Sequence, residues 1–311
     1  MAKKAPGKHY RDGITLAELF QMFPDDTTAE KWFVENRWPD GIHCAYCESD
    51  NIKDNAKHPT MPFRCNSCKK QFSVKTNSMM HSSKIGYQNW AIAIYVMTTG
   101  LKGVSSMHLH RDLGITQKSA WHMAHRIRKA WGEISEPFHR EVEADETYMG
   151  GKEKNKHADK KLKAGRGVVG KIAVAGLKDR KSNKVKAEVV ECADKATLQD
   201  FVVENTTEEA TIYTDEARAY SGLPRKHLAV KHSVGEYVKE QAHTNGIESF
   251  WAMLKRGHKG TYHKMSSKHL HRYVDEFQGR HNHRPMDTEE QMKDVVKEGV
   301  GKRLRYKDLI R

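Results

Sequence analysis

Three carboxylates stand in settings that could do chemistry together. Asp145 lies in "REVEADETYMGG" and Asp215 in "ATIYTDEARAY", each after a short run that predicts a strand. Glu248 lies in "HTNGIESFWAMLKRG", residues 243–257, where Ile247, Phe250, Trp251 and Leu254 recur at helical spacing. On the other side of that helix, Asn245, Glu248 and Lys255 fall within about 80° of arc at 100° per residue. Acids at the ends of two strands and on a helix converge only if the strands are neighbours in one sheet and the helix packs on that sheet. The apolar stripe suits such packing and leaves Glu248 at its margin. Converging carboxylates repel unless cations hold them, and hard oxygen ligands favour Mg2+ or Mn2+. Two such ions about 3.5–4 Å apart can activate a water or a 3′-OH and stabilise the leaving oxygen of a phosphodiester. In that arrangement Asp145 bridges the ions, with Asp215 and Glu248 on opposite ones. Lys255, two helical turns after Glu248, is placed to pair with a DNA phosphate, and Arg256 is its neighbour. Each acid alone also reads as a turn or cap residue, and the polar stripe as a solvated face. The order Asp, Asp, Glu on strand, strand, helix is what argues for a site.

Two cysteine pairs form the second constellation. "CAYC" supplies Cys44 and Cys47, "CNSC" supplies Cys65 and Cys68, and seventeen residues separate the pairs. This is zinc-ribbon spacing, in which two CxxC turns close a tetrahedral site of four thiolates. Such a site has no open coordination position, so the zinc is structural and supplies stability that a segment of about 40 residues cannot obtain from apolar burial. "MPFRC" and "KKQFSV" read as ribbon strands. Cys192, in "VKAEVVEC", reads as a small core residue.

The elements that must position these groups follow the apolar periods. Residues 14–38 predict two short helices around a Pro-Asp-Asp break, and residues 86–131 predict three. "GVSSMHLHRDLG" ends at Gly114, and Thr116 caps "ITQKSAWHMAHRIRKA". A short helix, a Gly-containing turn and a basic second helix form a helix-turn-helix pattern, with Gln117, Lys118, Ser119 and His122 as groove-facing candidates. An ordinary helical hairpin with a solvated basic face is the alternative. Strands are expected in 141–220 and at "HLAVKHSV", with a helix at "DKATLQDFVVEN", and helices again from about 244. The Gly- and Lys-rich stretch 151–167 predicts a loop, either a solvated hairpin tip or a phosphate contact. In "GTYHKMSSKHLHRYVDEFQGRHNHR", bases suit DNA contact, while Tyr262, Tyr273 and Phe277 are equally suited to a core.

Composition narrows the class. The chain has 311 residues, with 37% hydrophobic and 30% charged, which is polar but not disorder-like. A formal charge of +14 points to a polyanionic partner, with nucleic acid the usual one. The longest apolar run, "WAIAIYVM" at 90–97, falls far below the roughly 18 residues of a membrane span. The basic start "MAKKAPGKHY" lacks the apolar core of a signal peptide, so a cytoplasmic protein is expected. The expected division is a helical segment at 1–40, a zinc ribbon at 41–80, a helix-turn-helix-like domain at 81–137, a catalytic domain at 138–285 and a basic helical tail at 286–311.

With "CAYC", "CNSC", "EADETYMGGKEKNKH", "YTDEARAY" and "HTNGIESFWAMLKRGHKGTYHKMS", the chain resembles, nearly end to end, the DDE-type transposases of bacterial insertion sequences that carry an N-terminal zinc ribbon, the group numbered fifteen ninety-five. The resemblance implies an α/β fold: a ribonuclease-H-like mixed five-stranded sheet flanked by helices, preceded by the ribbon and the helix-turn-helix-like domain. It implies Mg2+-dependent cleavage at transposon ends, strand transfer by the freed 3′-OH, recognition of terminal inverted repeats in double-stranded DNA, and a homo-oligomeric synaptic complex on the bacterial nucleoid. Asp145 and Asp215 take the first two acidic positions. The third is Asn in some branches of the family and Glu in others, and both Asn245 and Glu248 stand here, with Lys255 seven residues after Glu248. Charge neutralisation favours Glu248; Asn245 offers a carbonyl oxygen, and His243 is a further polar candidate. A non-catalytic DNA-binding regulator and a ribonuclease-H-like nuclease are the alternatives.

Overall fold

The structure is a computed structural model that describes residues 12–54, 56–131, 136–151, 157–162, 168–215, 218–230 and 244–311. The chain divides into two units, Met1–Gly132 with His283–Arg311, and Glu133–Asn282. The first begins with α1 (Leu16–Met22) and α2 (Asp26–Arg37). Thr15 and Glu18 form a capping box on α1, and Asp25 accepts from the Thr28 N–H at 2.7 Å to start α2. The ribbon follows as an antiparallel sheet of β1 (Ile52–Lys53), β2 (Phe63–Cys65) and β3 (Gln71–Phe72). Three helices complete this stretch: α3 (Tyr87–Thr99), α4 (Ser106–Leu113) and α5 (Gln117–Ala130). Gly114 adopts the left-handed conformation (φ 62°) that ends α4, and Thr116 caps α5 through the Ser119 N–H. The ribbon and helices share one core: Trp38, at the end of α2, meets Phe63 and Phe72 edge-on at 5.8 and 5.9 Å.

The second unit is a five-stranded sheet with helices on both faces. Its strands are β4 (Glu141–Met149), β5 (Ile172–Asp179), β6 (Val185–Val190), then, after α6 (Lys195–Asn205), β7 (Thr211–Asp215) and β8 (Lys226–Val230). The order is β6-β5-β4-β7-β8. The first three are antiparallel neighbours, whereas β4–β7 and β7–β8 are parallel, as in the ribonuclease-H-like arrangement. Leu198, Phe201 and Val202 of α6 bury one face against Val142, Ala144 and Ile212. The other face is covered by α7 (Asn245–Gly257) and α8 (Leu270–His283), through Ile247, Phe250, Trp251, Leu254, Tyr273 and Phe277. Tyr273 and Phe277 are therefore core residues, and Tyr262 is half-buried against them.

Two helices end the chain, α9 (Thr288–Glu298) and α10 (Tyr306–Ile310). The segment expected as a basic tail is part of the first unit: Met292, Val295 and Val296 are buried with α2, α3 and α5, because α9 has its own apolar stripe. Cys192 also departs from expectation. It is exposed, and its thiol donates to Asp194 at 2.8 Å, beyond the end of β6 where strand alternation no longer governs its side chain.

Candidate active site

Asp145 does not end its strand. β4 continues through Met149, and Asp145 is paired with Gly176 of β5 in the middle of the sheet. On its other side, parallel pairing runs from Glu141↔Thr211 to Glu143↔Tyr213. Continued by two residues, that register sets Asp145 beside Asp215, the last residue of β7. The two acids are thus neighbours on adjacent strands, as convergence requires.

Burial and like charge dominate their electrostatics. The Asp145 carboxyl is pushed up to about 7, first by burial and then by the neighbouring carboxylates of Glu146 and Asp215. Glu146 alternates to the α6 face, accepts from the Tyr220 hydroxyl at 3.0 Å, and is raised by burial and, further, by Asp215. Sequence reasoning missed Glu146, although "ADET" displays it beside Asp145; strand alternation alone points it away from Asp145. Only the fold brings Asp215 near both.

Helix α7 is registered on the sheet by two buried contacts. Glu143, 2% exposed, accepts from the Ile247 N–H at 2.9 Å and pairs with Arg180 at 3.0 Å. One turn on, the Trp251 indole N–H donates to Asp145 Oδ2 at 3.0 Å. Glycines permit the close approach: a Cβ on Gly246 would stand 2.6 Å from Glu143 Oε2, and one on Gly176 would stand 2.5 Å from the Trp251 ring. Glu248 is exposed in the first turn, and its carboxylate accepts from the Thr244 hydroxyl at 3.0 Å. At 100° per residue it sits about 60° around the helix from Trp251, and Asn245 about 120°. Glu248 therefore flanks the Asp145 side, while Asn245 turns farther from the sheet. Lys255 and Arg256 are exposed in the last turn of α7. His243 lies outside the described residues, as does most of the 151–167 loop.

The sequence-predicted acids are not all gathered. Among the described residues, the four cysteines are the one group of three or more His, Cys, Asp or Glu whose ligand atoms all lie within 4.8 Å; Asp145, Asp215 and Glu248 are not drawn that close. The donor set nonetheless fits a hard divalent cation. Its ligands are all oxygen, and a cation relieves the like-charge repulsion that helps raise Asp145. A pH dependence follows. Because the folded carboxyl titrates near 7 and the unfolded one near 3.8, the folded state binds more protons between those values, so metal-free stability falls as pH rises through that window. Asp145→Asn removes this loss. In metal-free buffer its Tm is expected to exceed the parent's by a gap that grows from pH 4.5 to 7.5, up to a few kcal/mol in stability; a pH-independent gap contradicts the assignment.

The cysteine cluster has metal-site geometry. The Cys44 and Cys68 sulfurs lie 3.6 Å apart, and those of Cys47 and Cys65 3.7 Å apart. A tetrahedral ion with metal–sulfur bonds of about 2.3 Å sets sulfurs about 3.8 Å apart, so the cluster is compatible with structural zinc. Backbone N–H groups of Cys68 and Ser67 help hold the Cys65 thiol down at about 6.

The helix-turn-helix expectation meets a different packing. Gln117 and Lys118 are exposed at the start of α5, and Ser119 is half-buried. Beyond the first turn the helix is mostly interior: His125, Arg126 and Arg128 are buried. The C-terminal segment lies along its remaining polar side. The Leu304 carbonyl meets His122 Nε2 at 3.1 Å and accepts from Arg126 Nε at 3.2 Å. The Arg303 carbonyl accepts from Lys129 at 3.0 Å, and Lys118 Nζ stands 4.5 Å from the Tyr306 ring. The sequence pattern could not reveal this, since the covering residues are some 180 positions away.

Residues 137–282 match the family described as the ISXO2-like transposase domain. Over 274 residues the chain is 23% identical to an uncharacterized protein in transposable element ISH50 of Halobacterium salinarum, covering 83% of this chain and 91% of that protein. A cryo-EM structure of a simian T-cell lymphotropic virus intasome, in complex with PP2A regulatory subunit B56 gamma, aligns over 59% of this chain and 66% of the matched chain at 13% identity, with a TM-score of 0.29. The stretch that carries the five-stranded sheet is thus the part of the chain that is similar to the ISXO2-like transposase domain family.

Proposed function

We propose that the protein is a DNA transposase that binds the terminal inverted repeats of an insertion sequence and catalyses Mg2+- or Mn2+-dependent strand cleavage and strand transfer. The observation that carries this reading is the placement of Asp145 beside Asp215 in the parallel register of β4 and β7, with α7 docked on Asp145 through Trp251. Asp145 and Asp215 would hold the cations, and Glu248 is the third ligand, on the flank of α7 nearest Asp145. When bound, the ions polarise the scissile phosphodiester and activate the attacking hydroxyl. The exposed Lys255 and Arg256 bind the backbone of the DNA that enters beside α7. The formal charge of +14 supports a long polyanionic substrate, and the four-cysteine ribbon with zinc supports a DNA-reading module. Gln117 and Lys118 are its accessible partners at the start of α5. Pairing two transposon ends calls for a homo-oligomer, and DNA as substrate places the enzyme on the bacterial nucleoid. No helix among the described residues is long and apolar enough to cross a membrane.

The test is incubation of the protein with its element's end DNA and Mg2+, with nicks and joined products mapped on both strands. Nicks at the element boundary followed by joining to a second DNA are expected; nicks anywhere without joining favour a nuclease. A DNA-binding regulator is the second reading, and one observation favours it: among the described residues the three acids are not within 4.8 Å of one another. Alanine scanning of α7 divides the remaining choice. Glu248→Ala is expected to lower cleavage by about 100-fold or more, ~3 kcal/mol in activation free energy, and Asn245→Ala by much less. An inert Glu248→Ala with a dead Asn245→Ala reverses the ligand assignment.

A further inference from the structure

We propose that Trp251 is a positioning residue for Asp145, setting the plane of its carboxylate for the cation; this rests on the functional reading above. A carboxyl group turns freely about its last torsion unless something holds it. Here the indole N–H donates to Asp145 Oδ2 at 3.0 Å. The ring is itself immobilised. Trp251 is 3% exposed and packs against Phe250 at 5.1 Å between ring centroids. It also lies so close over Gly176 that any Cβ there would stand 2.5 Å from the ring. Gly176 is the residue paired with Asp145 across β4 and β5, so the sheet carries a gap beside the acid where the indole rests. The fixed indole donor ties Oδ2, the Glu146 backbone N–H also donates to the carboxylate, and the lone pairs left over would be available to an ion. Outer-shell partners of this kind orient metal ligands and typically change metal affinity or activity by about 10–100-fold when removed.

A merely structural role is the competing account, since a buried indole N–H needs some acceptor. That account predicts a loss of stability and nothing specific to the cation. The discriminating experiment uses the full-length chain with Mn2+ as the probe. Trp251→Phe keeps an aromatic ring and removes the donor. Benzothienylalanine placed at 251 keeps the bicyclic shape and removes only the N–H, which covers the case in which the Phe variant folds poorly. Mn2+ binding is measured by electron paramagnetic resonance, and cleavage of end DNA is measured as separate kcat and KM.

The expected result is a Mn2+ Kd raised by about 10–100-fold and a kcat lowered to a similar degree, with KM for DNA unchanged. In the unmodified protein, the Trp251 indole proton resonance, assigned by its loss in Trp251→Phe, should broaden on adding Mn2+. Folded variants that keep the parent's Mn2+ affinity and kcat overturn the positioning role. Asp145→Asn serves as the control on the underlying reading. If it lowers Mn2+ affinity and cleavage while the position-251 variants do not, only the positioning role fails. If Asp145→Asn leaves both unchanged, the active-site reading fails and the positioning role with it.

Discussion

Asp145→Asn is expected to abolish Mg2+-dependent strand cleavage, by about 1,000-fold or more (~4 kcal/mol in activation free energy), while leaving affinity for end DNA nearly intact. The effect should be that large because Asp145 stands between β7 and α7. It lies beside Asp215 in the β4–β7 register and receives the indole N–H of α7. An amide keeps the size and the hydrogen bond but supplies no charge to a cation. Folding should not suffer, because the burial and neighbouring carboxylates that push Asp145 up to about 7 disfavour the charged form in the absence of metal. Binding should survive because the cationic surface lies on other residues, Lys255 and Arg256 among them. Cleavage assayed with labelled end DNA, alongside a mobility-shift measurement, checks both halves. Parent-level cleavage by the variant ends the metal assignment.

Removing zinc is expected to unfold the ribbon and to loosen α2 with it, while the five-stranded sheet stays protected. β1, β2 and β3 contain two, three and two residues, too few to hold a sheet alone. Cys44 and Cys65 are completely buried, so thiolates without a cation have no solvent to turn to. The apparent binding energy of such sites in isolated peptides, about 10–16 kcal/mol, equals or exceeds the whole stability of an ordinary domain, about 5–15 kcal/mol. Phe63 and Phe72 transmit the loss to Trp38 at the end of α2. Expectation from sequence bounded the zinc-dependent region at 41–80, and the shared aromatic contacts extend it to α2. Hydrogen exchange after chelation, or in Cys65→Ser, should show lost protection from about residue 33 to 74, with β4 and β5 unchanged. Simultaneous loss in β4 and β5 would mean that the two units do not have independent cores.

Local signals carried much of the outline. The two CxxC pairs announced their cluster because a turn of four residues aims both sulfurs together, with no help from the rest of the chain. Thr116 caps α5 as its sequence position suggested, since a cap bonds within three residues, and Thr15, Asp25 and Asp194 cap α1, α2 and α6 in the same local way. The stripe Ile247, Phe250, Trp251 and Leu254 was readable for the same reason, and all four are buried on the sheet. Expectation and structure part where a local period ends or where the deciding partner is distant in sequence. Cys192 sits at a strand's end, where alternation stops governing direction. The basic side of α5 reads as a groove-facing surface until residues 303–306 are seen along it.

Residue types and short spacings are enough for the inventory: a four-sulfur cluster, two strand-borne acids, and an amphipathic helix carrying Glu248 and Lys255. Tertiary structure alone decided the neighbours. It placed Asp145 in mid-strand rather than at a strand end, set Glu146 near Asp215 from the opposite face, and joined α9 to the first unit's core. It also docked α7 on Asp145 through Trp251, with Glu248 about 60° and Asn245 about 120° around the helix from that contact. The physical reason is that strand register and helix docking depend on which surfaces meet. Here Trp251 over Gly176 and Glu143 under the start of α7 fix that meeting, through contacts spanning more than 70 residues of chain.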